Sequence, residues 1–413
     1  MAGREVFPDE ELRRRIMDFI MAAGQTLLEN GAEVFRVEQT MEIMARSFHL
    51  REFHVYVLTN GIFASAGTAE ISEVRNVPTR TTHLGRVAAV NALSREIAEG
   101  SMSLNEAESR LVLARRIPFP KNWVQLVSGM CGAFCFALIF GGTLRSALAA
   151  ALAGFLASGY LLLCEQHELP GGFCKISCAA LITLVCILAC RVLGTPASHS
   201  IIGSLMILTP RHRLYHGHPR LCARRLPLRH HPHDRCAAHC SQHCHWHRPC
   251  AEPLYILYGG GRGMMLTSTQ IGELAAQFFI AGVGTLCFAI LFACPRKSLF
   301  FCGLVGAVGW FVYELAVMLG ADSAAASLLA VIPLTILTRV FAIVLKMPVT
   351  VFLLSGIFPL VPGAGIYYTA YYFIQGNNAL ALSNGISTFK VAVALAIGIT
   401  LVLSVPIPKK RRN

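Results

Sequence analysis

Of the 413 residues, 54% are hydrophobic and only 14% charged, with a mean hydropathy of +0.54, which excludes an ordinary soluble globular protein. The net charge of +13 does not indicate a nucleic-acid partner, because residues 211–250 hold eight arginines against Asp234 alone and the remainder sits at the edges of apolar segments. Of fifteen cysteines, ten lie in apolar helical stretches, among them Cys131, Cys135, Cys186 and Cys190, where they act as small hydrophobes rather than a disulfide framework.

The first 122 residues are polar enough for one small domain. Met1–Arg15 is charged and carries no signal-peptide pattern, so this domain is expected in the cytoplasm. Leu12, Ile16, Phe19, Ile20, Ala23 and Leu27 follow helical spacing over 10–30, with Asn30-Gly31 as the stop. Residues 32–48 read as a second amphipathic helix. Residues 54–66 turn β-rich, with Asn60-Gly61 at the expected hairpin turn, and 71–77 reads as a third strand. Helical spacing returns over 84–98 and 104–114, the latter opened by the capping box Ser103…Glu106. Arg115-Arg116-Ile-Pro118-Phe-Pro120-Lys121 leads into the apolar part.

Gly24-x-x-Leu27-Leu28-x-x-Gly31-Ala32-Glu33-x-x-Arg36-Val37-Glu38, together with the later Arg86-x-x-x-x-Asn91, resembles the cytoplasmic domain of the threonine/serine exporter family. The apolar part resembles that family too, including its two-component relatives associated with dicarboxylate export, here with both components fused. Glu33 and Arg36 share a helix face, whereas Glu38 does not join them. A surface ion pair and a contact with the membrane part both remain open for this motif. No nucleophile–base–orienter set occurs in the domain, so no enzyme activity and no cofactor are expected.

Apolar spans are expected near 124–141, 144–164, 174–193 and 199–209, then near 271–294, 299–319, 324–345, 349–372 and 386–405. Residues 132–210 match residues 284–362 without a gap, at a constant offset of 152 (132 against 284, 210 against 362). Cys135-Phe-Ala-Leu-Ile-Phe140 returns as Cys287-Phe-Ala-Ile-Leu-Phe292, Pro196 as Pro348 and Pro210 as Pro362. The fold expected is a polytopic α-helical membrane protein with two inverted five-helix repeats, preceded by the small cytoplasmic α/β domain. The divisions are 1–122, 123–253 and 254–413. Such duplicated bundles are a common plan of secondary transporters, with the substrate near the midplane.

The first repeat lacks its fifth span, and 211–253 stands in its place. Residues 211–250 hold ten histidines, eight arginines, five cysteines and four prolines in forty residues. Arg211 occupies the position where the repeat predicts glycine, because Gly363 follows Pro362. Reading the codons back with a one-base shift permits Pro-Gly followed by a run rich in Ala, Ile, Val and Gly. A local frameshift is therefore expected. Zinc binding by Cys236, Cys240, Cys244 and Cys250 is chemically feasible but disfavoured, since the stretch between them holds no glycine for the turns of a structural zinc scaffold, and no metal is expected. With ten spans, Arg296-Lys297, Lys346 and Lys409–Arg412 all face the cytoplasm, as the positive-inside rule requires; with nine the rule breaks.

The candidate substrate path is Pro359-x-x-Pro362-Gly363-x-Gly365-x-Tyr367-Tyr368, with Pro210 as its counterpart. Proline removes a backbone donor and glycine relaxes the helix, so amides and carbonyls become available to a zwitterion or dicarboxylate. A simple kink, and tyrosines serving as interfacial anchors, are the alternatives. Glu314 and Arg339 are ionisable residues within spans, separated by roughly 15 Å in depth. The resemblance implies export of threonine/serine-type amino acids across the cell inner membrane, with dicarboxylates second and a non-transporting membrane sensor as a different class. The expected partners are the small-molecule substrate, the lipid bilayer and a second copy in a homo-oligomer.

Overall fold

The computed structural model describes residues 8–67, 71–77, 80–100, 102–167, 169–208 and 268–406. Pro210, the segment 211–253 and the basic tail Lys409–Arg412 lie outside the described residues. Apart from the first turn of the helix beginning at Ser268, the described residues belong to one compact unit.

The polar N-terminal part consists of α1 (Pro8–Glu29), α2 (Val34–Ser47), β1 (His54–Leu58), β2 (Gly61–Ala66), β3 (Ile71–Asn76), α3 (Leu84–Ala98) and α4 (Leu104–Arg115). The apolar faces read from the sequence are the buried ones: Ile16, Ile20, Ala23 and Leu27 of α1 meet Val37, Met41 and Met44 of α2 in one core. Gly31 ends α1 at φ +89, and the Ala32 amide reaches back to the Leu27 carbonyl at 3.0 Å. A Cβ at position 31 would also stand 3.1 Å from the Thr81 carbonyl. Ser103 caps α4 by accepting from the Glu106 amide at 3.4 Å.

The strands form an antiparallel meander in the order β1-β2-β3, with Tyr56 opposite Phe63 and Phe63 opposite Val74. The β1–β2 loop is Thr59-Asn60, one residue earlier than expected, because Leu58 pairs with Gly61. Neither Asn60 nor Gly61 has the positive φ of a type I′ turn. Gly61 serves the ladder instead, where a Cβ would come within 3.3 Å of the Arg75 carbonyl of β3. Helices α1 and α2 cover one face of the sheet, and α3 and α4 pack on those helices rather than on the strands.

The apolar part contains α5 (Asn122–Ile139), α6 (Leu144–Gln166), α7 (Gly171–Leu193) and α8 (Ser198–Leu205), which runs into a 3-10 turn at Met206–Leu208. After the undescribed stretch come α9 (Ser268–Leu291), α10 (Leu299–Met318), α11 (Ser323–Val344), α12 (Val349–Gly356), a 3-10 turn at Phe358–Leu360, α13 (Gly363–Ile374) and α14 (Asn378–Ser404). Seven of the described helices are long and apolar enough to cross a membrane, or eight if the bent α12–α13 pair counts as one span. The chain is a multi-pass helical membrane protein.

Element bounds recur at the 152-residue offset. Helices α5 and α9 end at Ile139 and Leu291, α7 and α11 begin at Gly171 and Ser323, and the 3-10 turns fall at 206–208 and 358–360. Small residues let the helices touch, as membrane packing without a strong hydrophobic drive requires. A Cβ on Gly154 of α6 would stand 2.6 Å from the Gly129 carbonyl of α5, and one on Gly203 of α8 would stand 2.6 Å from the Ala137 amide nitrogen. Buried hydroxyls add links between helices: Ser200 and Ser204 of α8 donate to the Ser146 and Ala150 carbonyls of α6 at 2.7 and 3.2 Å.

Candidate functional site

The helix break expected at Pro359–Gly365 is present. Helix α12 stops at Gly356, Val361 is extended at φ −64 and ψ 128, Pro362 lies at φ −75 and ψ 55, and α13 departs at 48°. The two prolines remove donors on either side of the break, and no side chain caps α13. Its first-turn amides at Ala364 and Gly365 have no intrahelical acceptor, so the break presents the positive end of a helix dipole beside 3-10 carbonyls.

The other half meets this break directly. A Cβ on Gly363 would stand 2.9 Å from Sδ of Met206, the first residue of the 3-10 turn after α8. Gly365 holds α13 close to α14, since a Cβ there would lie 2.2 Å from the Thr388 hydroxyl. Tyr367 packs against the buried cluster of Cys178, Cys186 and Ile201. It stacks on Tyr371 at 6.0 Å, and Tyr368 stacks on Tyr372 at 6.2 Å. The tyrosines thus form a ladder along α13 that begins at the break.

Glu314 is half-buried on α10. Arg339 sits near the other end of α11, where its guanidinium donates to the carbonyls of Val402 and, at 2.5 Å, Val405. It therefore caps the C-terminus of α14, which separates it from the helix break. Lys390 is an ionisable residue that the sequence reading passed over. The expected span began at Ile386, which put Lys390 at an edge; the helix begins eight residues earlier, at Asn378, yet Lys390 stays level with Asp322, the residue that caps the start of α11. Lys390 and Asp322 line a shallow, open groove of about 390 Å3 between α11 and α14.

The N-terminal motif residues brace the α/β part. Glu33 pairs with Arg36 at 3.3 Å on the first turn of α2, both partly exposed. Glu38 Oε1 accepts from the Val57 amide of β1 at 2.9 Å, and Asn91 is half-buried on α3. The resemblance named Arg86, and its surroundings are the more telling. Arg86 donates to the Ile117 carbonyl at 3.0 Å and to Asn30 Oδ1 at 3.4 Å, and its guanidinium lies 5.6 Å from the Phe119 ring centroid. His83 caps α3 by accepting from the Arg86 amide through Nδ1 at 3.2 Å, while its Nε2 faces the Pro118 carbonyl at 3.3 Å. That assignment needs the neutral ring with the proton on Nε2. Burial, and then the Arg86 charge, push the His83 pKa below its ordinary value of 6.5.

Helix α3 is also the attachment to the membrane part. The Leu84 and Gly85 amides donate to the Phe292 and Ala293 carbonyls just beyond α9, at 3.0 and 2.9 Å. Ala293 holds the left-handed position of a helix-ending turn at φ 51. Lys346 does the same after α11 at φ 50, and Arg95 donates to its carbonyl. Positive and negative helix ends thus meet head to tail, and Leu84 is buried in the same cluster as Phe292 and Phe352. No sequence signal pointed to this junction, because its bonds are backbone to backbone.

A family model described as "Putative threonine/serine exporter" matches residues 18–214, and one described as "Threonine/Serine exporter, ThrE" matches residues 277–405. The curated "Probable threonine/serine exporter" of Mycobacterium tuberculosis (strain ATCC 25618 / H37Rv) is 22% identical over 206 residues, 48% of this chain. The match spans 39% of that relative's length. No solved structure matches.

Proposed function

The chain belongs to the threonine/serine exporter family, and from that premise we propose that it exports small polar amino acids of the threonine/serine type across the cell inner membrane. The observation that carries the mechanism is the α12–α13 break, where α13 starts uncapped at Gly363, beside Met206 of the other half. A zwitterion needs an anion-binding and a cation-binding partner side by side, and a broken helix supplies both from its backbone. The chemistry is binding and release, with no covalent step.

The membrane part reads best as an inverted duplication. Helices α5 and α9 are repeat counterparts, yet the segment before α5 is held by His83 and Arg86 while the end of α9 is held by Leu84 and Gly85. Counterparts that reach one anchoring helix from opposite ends run antiparallel. The α3 side also carries Arg115, Arg116, Lys121, Arg296, Lys297 and Lys346, in support of a cytoplasmic N-terminal domain. Residues 215–276, which neither family model matches, contain most of the aberrant 211–253 segment, in keeping with a local frameshift there.

Efflux of labelled threonine and serine from vesicles holding the frame-restored chain tests the assignment. Saturable efflux of either amino acid is the expected result. Efflux of succinate alone would move the substrate class to dicarboxylates, and no flux of any of them would favour a sensor.

A further inference from the structure

Helices α11 and α14 run side by side in the same sense. Asp322 at the start of α11 lies beside Lys390 of α14, and Arg339 near the end of α11 donates to the Val402 and Val405 carbonyls at the end of α14. The groove between them has an uneven lining. Asp322 and Lys390 stand at one end, and the other seven lining residues are apolar, reaching Leu328 on α11 and Ile397 on α14. At about 1.5 Å per residue, both walls run about 9–10 Å from the charged end.

Both walls belong to helices long and apolar enough to span, and Ala325, Val393 and Ile397 are exposed on them, so the medium facing the groove is lipid. Its charged end is the one remote from the N-terminal part, because Arg95 of α3 donates to the Lys346 carbonyl beyond the other end of α11. Half of the hydrocarbon core is about 15 Å thick, so the groove stays within one leaflet. The two charges do not satisfy each other. Asp322 Oδ1 caps α11 by accepting from the Ala325 amide at 3.2 Å, and among the described residues neither Asp322 nor Lys390 joins an ion pair. An unpaired ammonium on the lipid-facing side of an apolar helix is costly until an anion answers it. Helix α14 is also thinly covered, with only Ala381, Val391, Leu395 and Gly398 buried among its 27 residues.

We propose that this groove holds one phospholipid whose headgroup carries both a phosphate and a primary ammonium, as in phosphatidylethanolamine, in the leaflet farther from the N-terminal part. The phosphate meets Lys390, the ammonium meets Asp322 Oδ2, and an acyl chain lies along Ala325, Leu328, Val393 and Ile397. A mouth with one charge of each sign favours a dipolar headgroup over an anionic one, which would set its phosphate beside Asp322 with nothing to offset the repulsion. Nothing in this assignment depends on what the chain transports.

The test titrates dioleoyl phosphatidylethanolamine, or dioleoyl phosphatidylglycerol, into the detergent-purified full chain and counts retained lipid by native mass spectrometry. One phosphatidylethanolamine per chain should be held more tightly than the rest. Lys390→Gln should weaken retention of both lipids. Asp322→Asn keeps a capping side chain and should weaken phosphatidylethanolamine about three- to fivefold, the worth of one partly exposed ion pair, while phosphatidylglycerol is held equally or more tightly. Ala325→Trp, at an exposed position on the groove wall, should displace both lipids, and Val283→Trp on the exposed side of α9 neither. Phosphatidylethanolamine retention indifferent to all three groove substitutions, or an equal loss of both lipids in Asp322→Asn, would overturn the proposal. So would a chain dimer that Ala325→Trp dissolves while lipid retention stands, which would give the groove to a second copy.

Discussion

Phe136 and Phe288 meet edge to face with ring centroids 4.8 Å apart, and they occupy the same position in the two matching halves of the chain. The contact thus joins two counterparts of the 152-residue match. Around them the contacts are reciprocal: Gly132 faces Cys287 and Phe288, while Gly284 faces Cys135 and Phe136. The reciprocity is not quite even. A Cβ on Gly284 would stand 3.1 Å from the Cys135 Cβ, against 3.6 Å for Gly132 and Cys287. Gly284→Val is therefore expected to cost about 1–3 kcal/mol by overpacking, and Gly132→Val less. Thermal melting of the detergent-purified chain checks the order; a larger loss from Gly132→Val would contradict the packing.

Much of the fold was legible because it rests on periodicity. The expected spans lie on helices, or on the α12–α13 pair, except that near 199–209 the described helix Ser198–Leu205 and its 3-10 turn are too short to cross; α3 occupies the expected 84–98. What escaped depended on long-range geometry. The α3 junction rests on backbone donors that any sequence supplies, and Arg339 acts through the carbonyls of a helix sixty residues away. Lys390 was in plain view, and what the sequence left out was its neighbour across the helix pair, Asp322.

His83 makes the α3 junction sensitive to pH. Its folded pKa lies below 6.5, so as pH falls from 6.5 through that value the unfolded or undocked state binds more protons than the native state. Stability is thus complete above 6.5 and declines below it. Protonation of Nδ1 also removes the cap on the Arg86 amide and sets two positive groups against the helix N-terminus. Hydrogen exchange at Leu84 and Gly85 should accelerate on acidification in the parent and much less so in His83→Asn, which retains a capping oxygen. Equal acid sensitivity in both would assign the effect elsewhere.

Arg339 and Lys390 separate structure from transport. Arg339→Leu removes two charge-assisted bonds to the end of α14 and should cost roughly 1.5–3 kcal/mol per bond at most. Folded protein should become scarcer, with the flux per folded molecule little changed. Lys390→Leu removes the cation that shares an open groove with Asp322 and caps no helix, so abundance should hold, and any fall in flux would report a role for the charge itself. The reverse pattern, measured as flux against protein level in the same vesicles, would exchange the two roles.

The chain as written should insert poorly into the membrane. Each arginine near the centre of a span costs about 2.5–3.5 kcal/mol on insertion scales, so the 211–253 segment cannot take the place of a fifth span. Cysteine-accessibility mapping of Lys409–Arg412 should find mixed orientation, and the DNA for residues 205–255 should show an extra or missing base relative to independent isolates. The same codons in every isolate, with a uniquely cytoplasmic tail and full transport, would defeat both expectations.

The break itself is tested at Gly363 in the frame-restored chain. The nearest obstacle to a side chain there is the Sδ of Met206, the far end of a flexible residue, so Gly363→Ala should be tolerated. Leucine is larger than that movement can absorb. It would fill the space beside the uncapped amides of α13, close the approach to the backbone and push against the 3-10 turn of the other half. Flux should be lost while the protein remains folded in the membrane. Leu360→Met, two residues before Pro362 and buried in the core, is close to volume-conserving and should cost less than about 1.5 kcal/mol, with transport retained. Flux and abundance are to be measured together, because a fall in both would report only misfolding. If Gly363→Leu transports like the parent at equal abundance, solute does not pass the Pro359–Gly365 break, and the prolines serve only to bend the helix.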